Sequence, residues 1–397
     1  MLAASDQVPR ERLTAHAAVG ELALDGRVRR VGGVLAVAEG ARRAGVRRLL
    51  CPADAAAEAA LAGIEPVPVF HLAEAVAYLR GELEPDAVEP APAAERPPLP
   101  DLAGVRGQER ARRALEVAAA GSHNLLLAGP PGTGKTMLAR RLPGILPPLS
   151  PEEALEVTRI HSVAGVLAPE RPLVDRPPFR APHHTASTAA IIGGGPRVRP
   201  GEASLAHRGV LLLDEMPEFA RPTLEALRQP LEDGEIAVSR VGGRAVFPAR
   251  FALVATMNLR PCGARGDPAA ECTCSPQRLG GYRDKLSRAL LDRFDLVVVM
   301  PRPRAVELAA GDHESSPVVA ERVQLARARL HVRAPRRTPA ADDLLTRAVE
   351  RLRLSGRGRA RVARVAQTIA ALADADAVLP EHVAESLSYR PPPELAA

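Results

Sequence analysis

Asn124-Leu125-Leu126-Leu127-Ala128-Gly129-Pro130-Pro131-Gly132-Thr133-Gly134-Lys135-Thr136 reads as an apolar strand running into a glycine-rich loop and then a helix, with the spacing G-x-x-x-x-G-K-T. Each position has a chemical reason. Glycines let backbone N–H groups turn inward around a phosphate chain, and the helix that follows points its positive dipole end at the same charge. Gly129, Pro130, Pro131, Gly132, Thr133 and Gly134 form the cradle, Lys135 reaches the outer phosphates, and the Thr136 hydroxyl can ligate Mg²⁺. The alternative is a plain glycine turn between a strand and a helix. Composition weighs against it, because the chain has 31 Gly but only two lysines, Lys135 and Lys285, among its 53 basic residues. Lysine this scarce makes the pattern a chance event in about one such chain in a thousand.

Further along, Val210-Leu211-Leu212-Leu213-Asp214-Glu215 is an apolar strand ending in two carboxylates. Asp214 can hold Mg²⁺ directly or through water, and Glu215 is placed to polarise an attacking water. Such strands are common alone; downstream of a phosphate loop they read as hydrolytic. A third strand, Phe251 to Met257, ends in Asn258, which can orient water at the carboxyl edge of the sheet or simply cap it.

The 397 residues suffice for two or three domains. No apolar run is long enough to span a membrane, and Met1 to Arg12 lack the order of a signal peptide. The 4 cysteines do not make a disulfide framework, which fits a reducing, cytoplasmic setting. A net charge of +6 permits nucleic-acid binding, while 2% aromatics argue against recognition by base stacking. Residues 1–83 read as a small α/β unit, with helical spacing over Gly33 to Ala44 and His71 to Arg80 and a strand at Arg47 to Pro52. The Pro- and Ala-rich 84–100 reads as a linker. From 101 to 303 strands alternate with helices, the pattern of a parallel sheet covered on both faces. Over 304–397 the signals are helical only, at Ala340–Arg353, Ala360–Ala373 and Pro380–Tyr389. Gly234 to Phe247 alternates apolar and polar residues around Gly242-Gly243 and predicts a hairpin.

The glycine loop, the acidic strand and the terminal Asn, in this order, resemble an AAA+ ATPase: an α/β P-loop core with a parallel sheet and a carboxy-terminal helical lid. More narrowly, Pro178-Phe179-Arg180-Ala181-Pro182-His183-His184-Thr185-Ala186-Ser187 and Pro200-Gly201-Glu202-Ala203-Ser204-Leu205-Ala206-His207-Arg208-Gly209 resemble the ComM-type, YifB-like, magnesium-chelatase-like branch. The resemblance implies a Mg²⁺-dependent ATP hydrolase forming a homo-hexameric ring on branched or single-stranded DNA without sequence preference. Its implied work is branch migration in recombination and natural transformation, with a metal-chelatase motor or a non-DNA remodelling ATPase as the alternative. By the same resemblance, Val105-Arg106-Gly107-Gln108 packs beside the adenine, Arg293 is an arginine finger reaching a neighbour's nucleotide, and Arg357, with Arg361 close behind, contacts nucleotide from the lid. Arg197, Arg199, Arg240 and Arg244 would line a central pore and track a phosphate backbone, although a solvated charged hairpin is the plain alternative. The adjacent His183 and His184 read as structural or pore-lining.

The chain departs from that pattern twice. Residues 1–83 resemble only the later part of a Lon-protease-like, ribosomal-S5-like domain, so the chain is expected to begin inside it. Leu35 stands where Lon proteases carry a catalytic lysine, which argues against peptidase activity. Relatives often carry four cysteines in the loop after the sensor Asn, a set suited to zinc. Here Cys262, Cys272 and Cys274 stand with Arg260 in the fourth place, one ligand short unless Asp267, Glu271 or water completes the set, and the reading is against zinc.

Overall fold

A computed structural model describes residues 2–85, 97–195, 198–240, 243–265, 271–309 and 313–391. The chain divides into two compact units, one of residues 1–97 with 149–176 and one of 98–148 with 177–397. Residues 149–176, which the sequence pattern assigned to the 101–303 segment, therefore pack with the first unit. Most of the expected linker lies outside the described residues.

The larger unit is built on five strands in the order Leu296–Val299, Leu125–Ala128, Ala252–Met257, Val210–Leu213, Phe179–Arg180, every neighbouring pair parallel. Their near-continuous apolar runs follow from burial on both faces. Leu125, Leu127, Val210, Leu212, Leu296 and Val298 enter one core, while Leu126, Ala128, Leu211, Leu213 and Val297 enter the other. The first core lies under the helices Glu109–Gly121, Ser316–Arg333 and Gly356–Leu372, whose Leu115, Val319, Val323, Val365 and Ile369 fill it.

The expected helices of the last hundred residues are found at Pro339–Arg351, Gly356–Leu372 and Pro380–Ser388. A further helix, Ser316–Arg333, has 18 residues; its buried stripe of Val319, Val323 and Ala326 is narrow, and Val318, Leu325 and Val332 are exposed on another face. One feature departs from the helix-only expectation. Arg336–Arg337 and Ala377–Val378 form a short parallel ladder, too brief for a period-2 signal. The predicted hairpin forms from the antiparallel strands Glu235–Arg240 and Gly243–Pro248, with Ser239 opposite Arg244.

The first unit has a three-stranded parallel sheet, His16–Ala18, Arg48–Pro52, Glu65–Val69. Pro66 and Pro68 masked the last strand from a propensity reading; it is an edge strand, where a missing N–H is tolerated. The helix Val34–Arg43 forms as expected, and Leu35 is wholly buried. Helix Pro151–Ala164 starts on a Ser150–Glu153 capping box with proline in its first turn. Between these elements lies Glu58, 2% exposed, which accepts hydrogen bonds from the Leu35 N–H (3.0 Å), the Ser162 hydroxyl (2.5 Å) and Arg30 (2.6 Å).

Truncating a buried carboxylate that holds a guanidinium and a backbone N–H strands both donors, at a cost of ~3–5 kcal/mol. Glu58→Ala is therefore expected to lower the denaturant midpoint of the first unit's unfolding. An unchanged midpoint would show that Glu58 carries no structural weight.

Candidate nucleotide site

All five strands point the same way, so their carboxyl ends meet on one edge of the sheet, and the motifs read from the sequence meet there with them. The strand Leu125–Ala128 delivers Gly129 to the Met257 carbonyl of its neighbour (3.1 Å). Gly132 and Gly134 take φ of +78° and +86°, in the left-handed region that favours glycine, and a side chain added at Gly132 would meet open space. Thr133 Oγ1 donates to the Pro130 carbonyl (3.0 Å) and folds the loop on itself. The regular helix after the loop is only Lys135–Ala139, so the summed dipole of a long helix is not available there. Loop N–H groups and the lysine carry more of the anion-binding capacity than the sequence pattern suggested.

Lys135 is 9% exposed, and its ammonium donates to Gly129 O (2.8 Å), Pro130 O (2.8 Å) and Asn258 Oδ1 (3.2 Å). All three acceptors are neutral. Burial lowers its pKa, and the nearby charges of Asp214 and Glu215 oppose that shift. A buried cation with neutral hydrogen-bond partners, beside a cradle with open space, fits a phosphate group. The hard oxygens of Thr136 and Asp214 fit Mg²⁺: Thr136 Oγ1 donates to Asp214 Oδ1 at 2.7 Å.

Thr256 was not singled out by the sequence. It is buried near the end of its strand; its hydroxyl donates to Asp214 Oδ1 (2.6 Å) and accepts from the Glu215 N–H (2.9 Å). One side chain thus fixes both acidic positions. Glu215 itself is exposed, with φ of +52°, uncommon for a residue with a side chain. The only signal for Thr256 was its place two residues before Asn258 in the buried run. Val105 is buried, and its carbonyl accepts from Arg112 (2.9 Å). After Gly107, Gln108 donates through Nε2 to Pro301 O (2.7 Å) and to Thr133 O (3.4 Å), tying this segment to the phosphate loop.

The predicted arginines lie elsewhere. Asn124, at the amino end of the phosphate-loop strand, donates from Nδ2 to the Arg293 carbonyl (2.8 Å) and accepts from Leu253 N (2.8 Å). Arg293 therefore sits at the opposite end of the parallel sheet from Gly129, separated by five residues of extended chain, roughly 16 Å. Its guanidinium pairs with Glu232, which Arg357 also approaches at 3.4 Å. Arg361 pairs with Asp292 (3.4 Å). None of the hydrogen bonds or ion pairs of Arg293, Arg357 or Arg361 among the described residues reaches 129–136. Burial lowers the pKa of Arg293, and the charges of Arg357, Arg228 and Arg361 add to the effect. The Nε atoms of Arg228, Arg293, Arg361 and Arg390 are buried without a hydrogen-bond partner among the described residues. This is a cluster of cations short of acceptors.

Of the expected pore residues, Arg199 and Arg244 are exposed. Arg240 ends its hairpin strand, its side chain undescribed, and Arg197 lies outside the described residues. His183 and His184 stack with ring centroids 4.1 Å apart, and His184 meets Phe219 edge-on. The cysteine sulfurs of 262, 272 and 274 lie within 4.8 Å of one another, and Asp267 is outside the described residues. Among the described residues, no helix is long and apolar enough to cross a membrane.

Residues 101–308 match the family described as magnesium chelatase, subunit ChlI, and residues 313–390 match its C-terminal family. The chain is 46% identical to an uncharacterised protein of Mycobacterium tuberculosis (strain ATCC 25618 / H37Rv), over 98% of this chain and 81% of that one. It is 41% identical to YifB of Escherichia coli (strain K12), over 98% and 80%. It is 40% identical to competence protein ComM of Haemophilus influenzae (strain ATCC 51907 / DSM 11121 / KW20 / Rd), again over 98% and 80%. The likeness to YifB and ComM spans nearly the whole chain, including the first hundred residues that lie outside the chelatase match. The chain belongs to the magnesium-chelatase-like AAA+ ATPase family, in the branch that contains YifB and ComM.

Proposed function

We propose that the protein is a ring-forming ATPase that moves on DNA and drives branch migration of recombination intermediates, with MgATP as its substrate. The observation that carries this reading is the division of the site between the two ends of one sheet. Lys135, Asp214, Glu215 and Asn258 gather at one end, and the under-partnered arginines around Arg293 gather at the other. A chain so built completes neither half alone, and a ring of identical chains joins them. Lys135 exchanges its carbonyl partners for phosphate oxygens, and Thr136 and Asp214 hold the Mg²⁺ that arrives with ATP. Glu215 takes the proton of the attacking water, which Asn258 orients. Arg293, with Arg357 and Arg361 beside it, acts on the neighbour's phosphate, a contribution that can reach about 10³–10⁵ in rate. Arg199, Arg240 and Arg244 hold the DNA backbone without reading its sequence.

A chelatase motor subunit is the second reading, favoured by the family match over 101–308. Stimulation by DNA separates the two. Under the first reading ATP hydrolysis rises with forked DNA, and the stimulation falls steeply with salt as counterion release requires. Hydrolysis indifferent to DNA leaves the chelatase reading standing.

Lys135→Ala is expected to abolish nucleotide binding, whereas Glu215→Gln binds ATP and does not turn it over. Wild-type turnover by purified Glu215→Gln would show the base to be misassigned. Thr256→Val keeps the shape of the side chain but strands the Glu215 N–H and releases Asp214. A penalty of ~1–3 kcal/mol corresponds to a loss of about 5- to 150-fold in kcat, with the circular dichroism spectrum unchanged. A wild-type kcat in this variant would remove Thr256 from the site.

Arg293→Ala should bind ATP normally and lose most hydrolysis. Mixing it with Lys135→Ala should restore part of the activity, because one chain's intact loop then meets another's intact arginine. Mixtures no more active than their components would sink the shared site.

A further inference from the structure

We propose that Cys262 and Cys272 form a reversible oxidation site, which a hydroperoxide converts to a disulfide, and that this bond acts on the phosphate loop. Three observations support it. The sulfurs of Cys262 and Cys272 are 3.6 Å apart, with Cys274 completing a trio within 4.8 Å, and these thiols lie at intermediate to exposed positions. The Cys274 backbone N–H and, next, the Arg260 guanidinium donate to the Cys272 sulfur, contacts that lower its pKa and favour the thiolate. The same segment leans on the nucleotide site. A turn closes from the Gly263 N–H to the Arg260 carbonyl (2.9 Å), and Gly263, with φ of +73°, sits so close to Pro131 that an added Cβ would fall 2.6 Å from the proline ring.

A guanidinium on the thiolate supplies the counter-charge that a metal dication would supply, and the trio offers three ligands where a closed zinc site takes four. The thiol chemistry needs nothing further from the protein. The Cys272 thiolate attacks one peroxide oxygen; an S–O bond forms, the O–O bond breaks, and the alcohol leaves after taking a proton. Sulfur is oxidised to a sulfenic acid, and the peroxide is reduced. Cys262 sulfur then attacks Cys272 sulfur; S–S forms, S–O breaks, and water leaves with the thiol proton. Closing 3.6 Å to a disulfide bond of about 2.05 Å shortens the sulfur–sulfur distance by about 1.5 Å, a movement that Cys272 shares with Cys262. Its neighbour Gly263 is the residue against Pro131, so the movement is delivered to the phosphate loop. The coupling rests on the nucleotide reading of 129–136; the oxidation site does not.

The test uses the full chain, reduced and then exposed to equimolar hydrogen peroxide, alkylated, digested and mapped by mass spectrometry. The expected product joins the peptides carrying Cys262 and Cys272, leaving Cys51 and Cys274 alkylated. Affinity for a fluorescent ATP analogue should fall by about fivefold or more and recover with dithiothreitol. Cys272→Ser and Cys262→Ser should each abolish the linked peptide and the affinity change. Oxidation to sulfinic acid without linkage overturns the site. So does one equivalent of zinc in protein purified without chelator and lost in Cys272→Ser. A mapped disulfide with unchanged affinity overturns the coupling. A linked peptide in a protein that binds no nucleotide even when reduced counts against the nucleotide reading alone.

Discussion

Strand parallelism is the constraint on which the rest of the larger unit depends. Five parallel strands have two chemically different edges, and every loop that follows a strand emerges at the same one. The phosphate loop, Asp214, Glu215 and Asn258 follow strands and so converge. Arg293 precedes a strand and is held by Asn124 at the other edge. No rotamer change bridges a separation set by the length of the strands. The Lys135 end and the arginine-rich end of one sheet lie apart for that reason.

Much of this was legible in the sequence, and the reasons are local. Gly129 to Thr136 is a contiguous motif whose chemistry is carried by residue type and spacing, and the buried strands announce themselves as apolar runs because both faces are covered. What escaped was short, defined by contact, or blurred in its period. Thr256 looks like any residue of the run ALVATM; its importance lies in hydrogen bonds to two residues about forty positions earlier. The strand Glu65–Val69 was hidden by prolines that only its edge position permits. Helix Ser316–Arg333 was hidden because exposed apolar residues on another face, Val318, Leu325 and Val332, blur the period of its narrow buried stripe. The packing of 149–176 with the first unit reflects tertiary contacts, Glu58 to Ser162 among them, that no pattern within either segment encodes.

The two units solve the problem of a buried charge differently. Glu58 is saturated: a guanidinium, a hydroxyl and a backbone N–H meet its oxygens, the arrangement that makes an interior ion tolerable. Lys135 has its three donors engaged, but only by neutral oxygens, and burial pushes against its charge. The first pattern is complete in itself. The second keeps its charge at a cost that an anionic ligand would remove, which is what distinguishes a binding group from a structural one.

The arginine cluster also buries charge, at Arg361. Arg293, Arg357 and Arg361 share Glu232 and Asp292 as their acidic partners, while the Nε atoms of Arg293 and Arg361, and of Arg228 and Arg390 nearby, have no hydrogen-bond partner among the described residues. Mutual repulsion and burial both lower the pKa of Arg293, although a guanidinium stays charged. Glu232 supplies the negative charge, the one ion-pair partner of the Arg293 guanidinium among the described residues. In the proposed ring, a polyanion delivered by a neighbour would offer several acceptors to donors already gathered, and it would displace one carboxylate contact to do so. In the ring proposed above, the intrachain pair of Arg293 with Glu232 would be a placeholder. It would hold the arginines together before assembly, and hydrolysis would then depend on a loaded neighbour rather than on nucleotide alone.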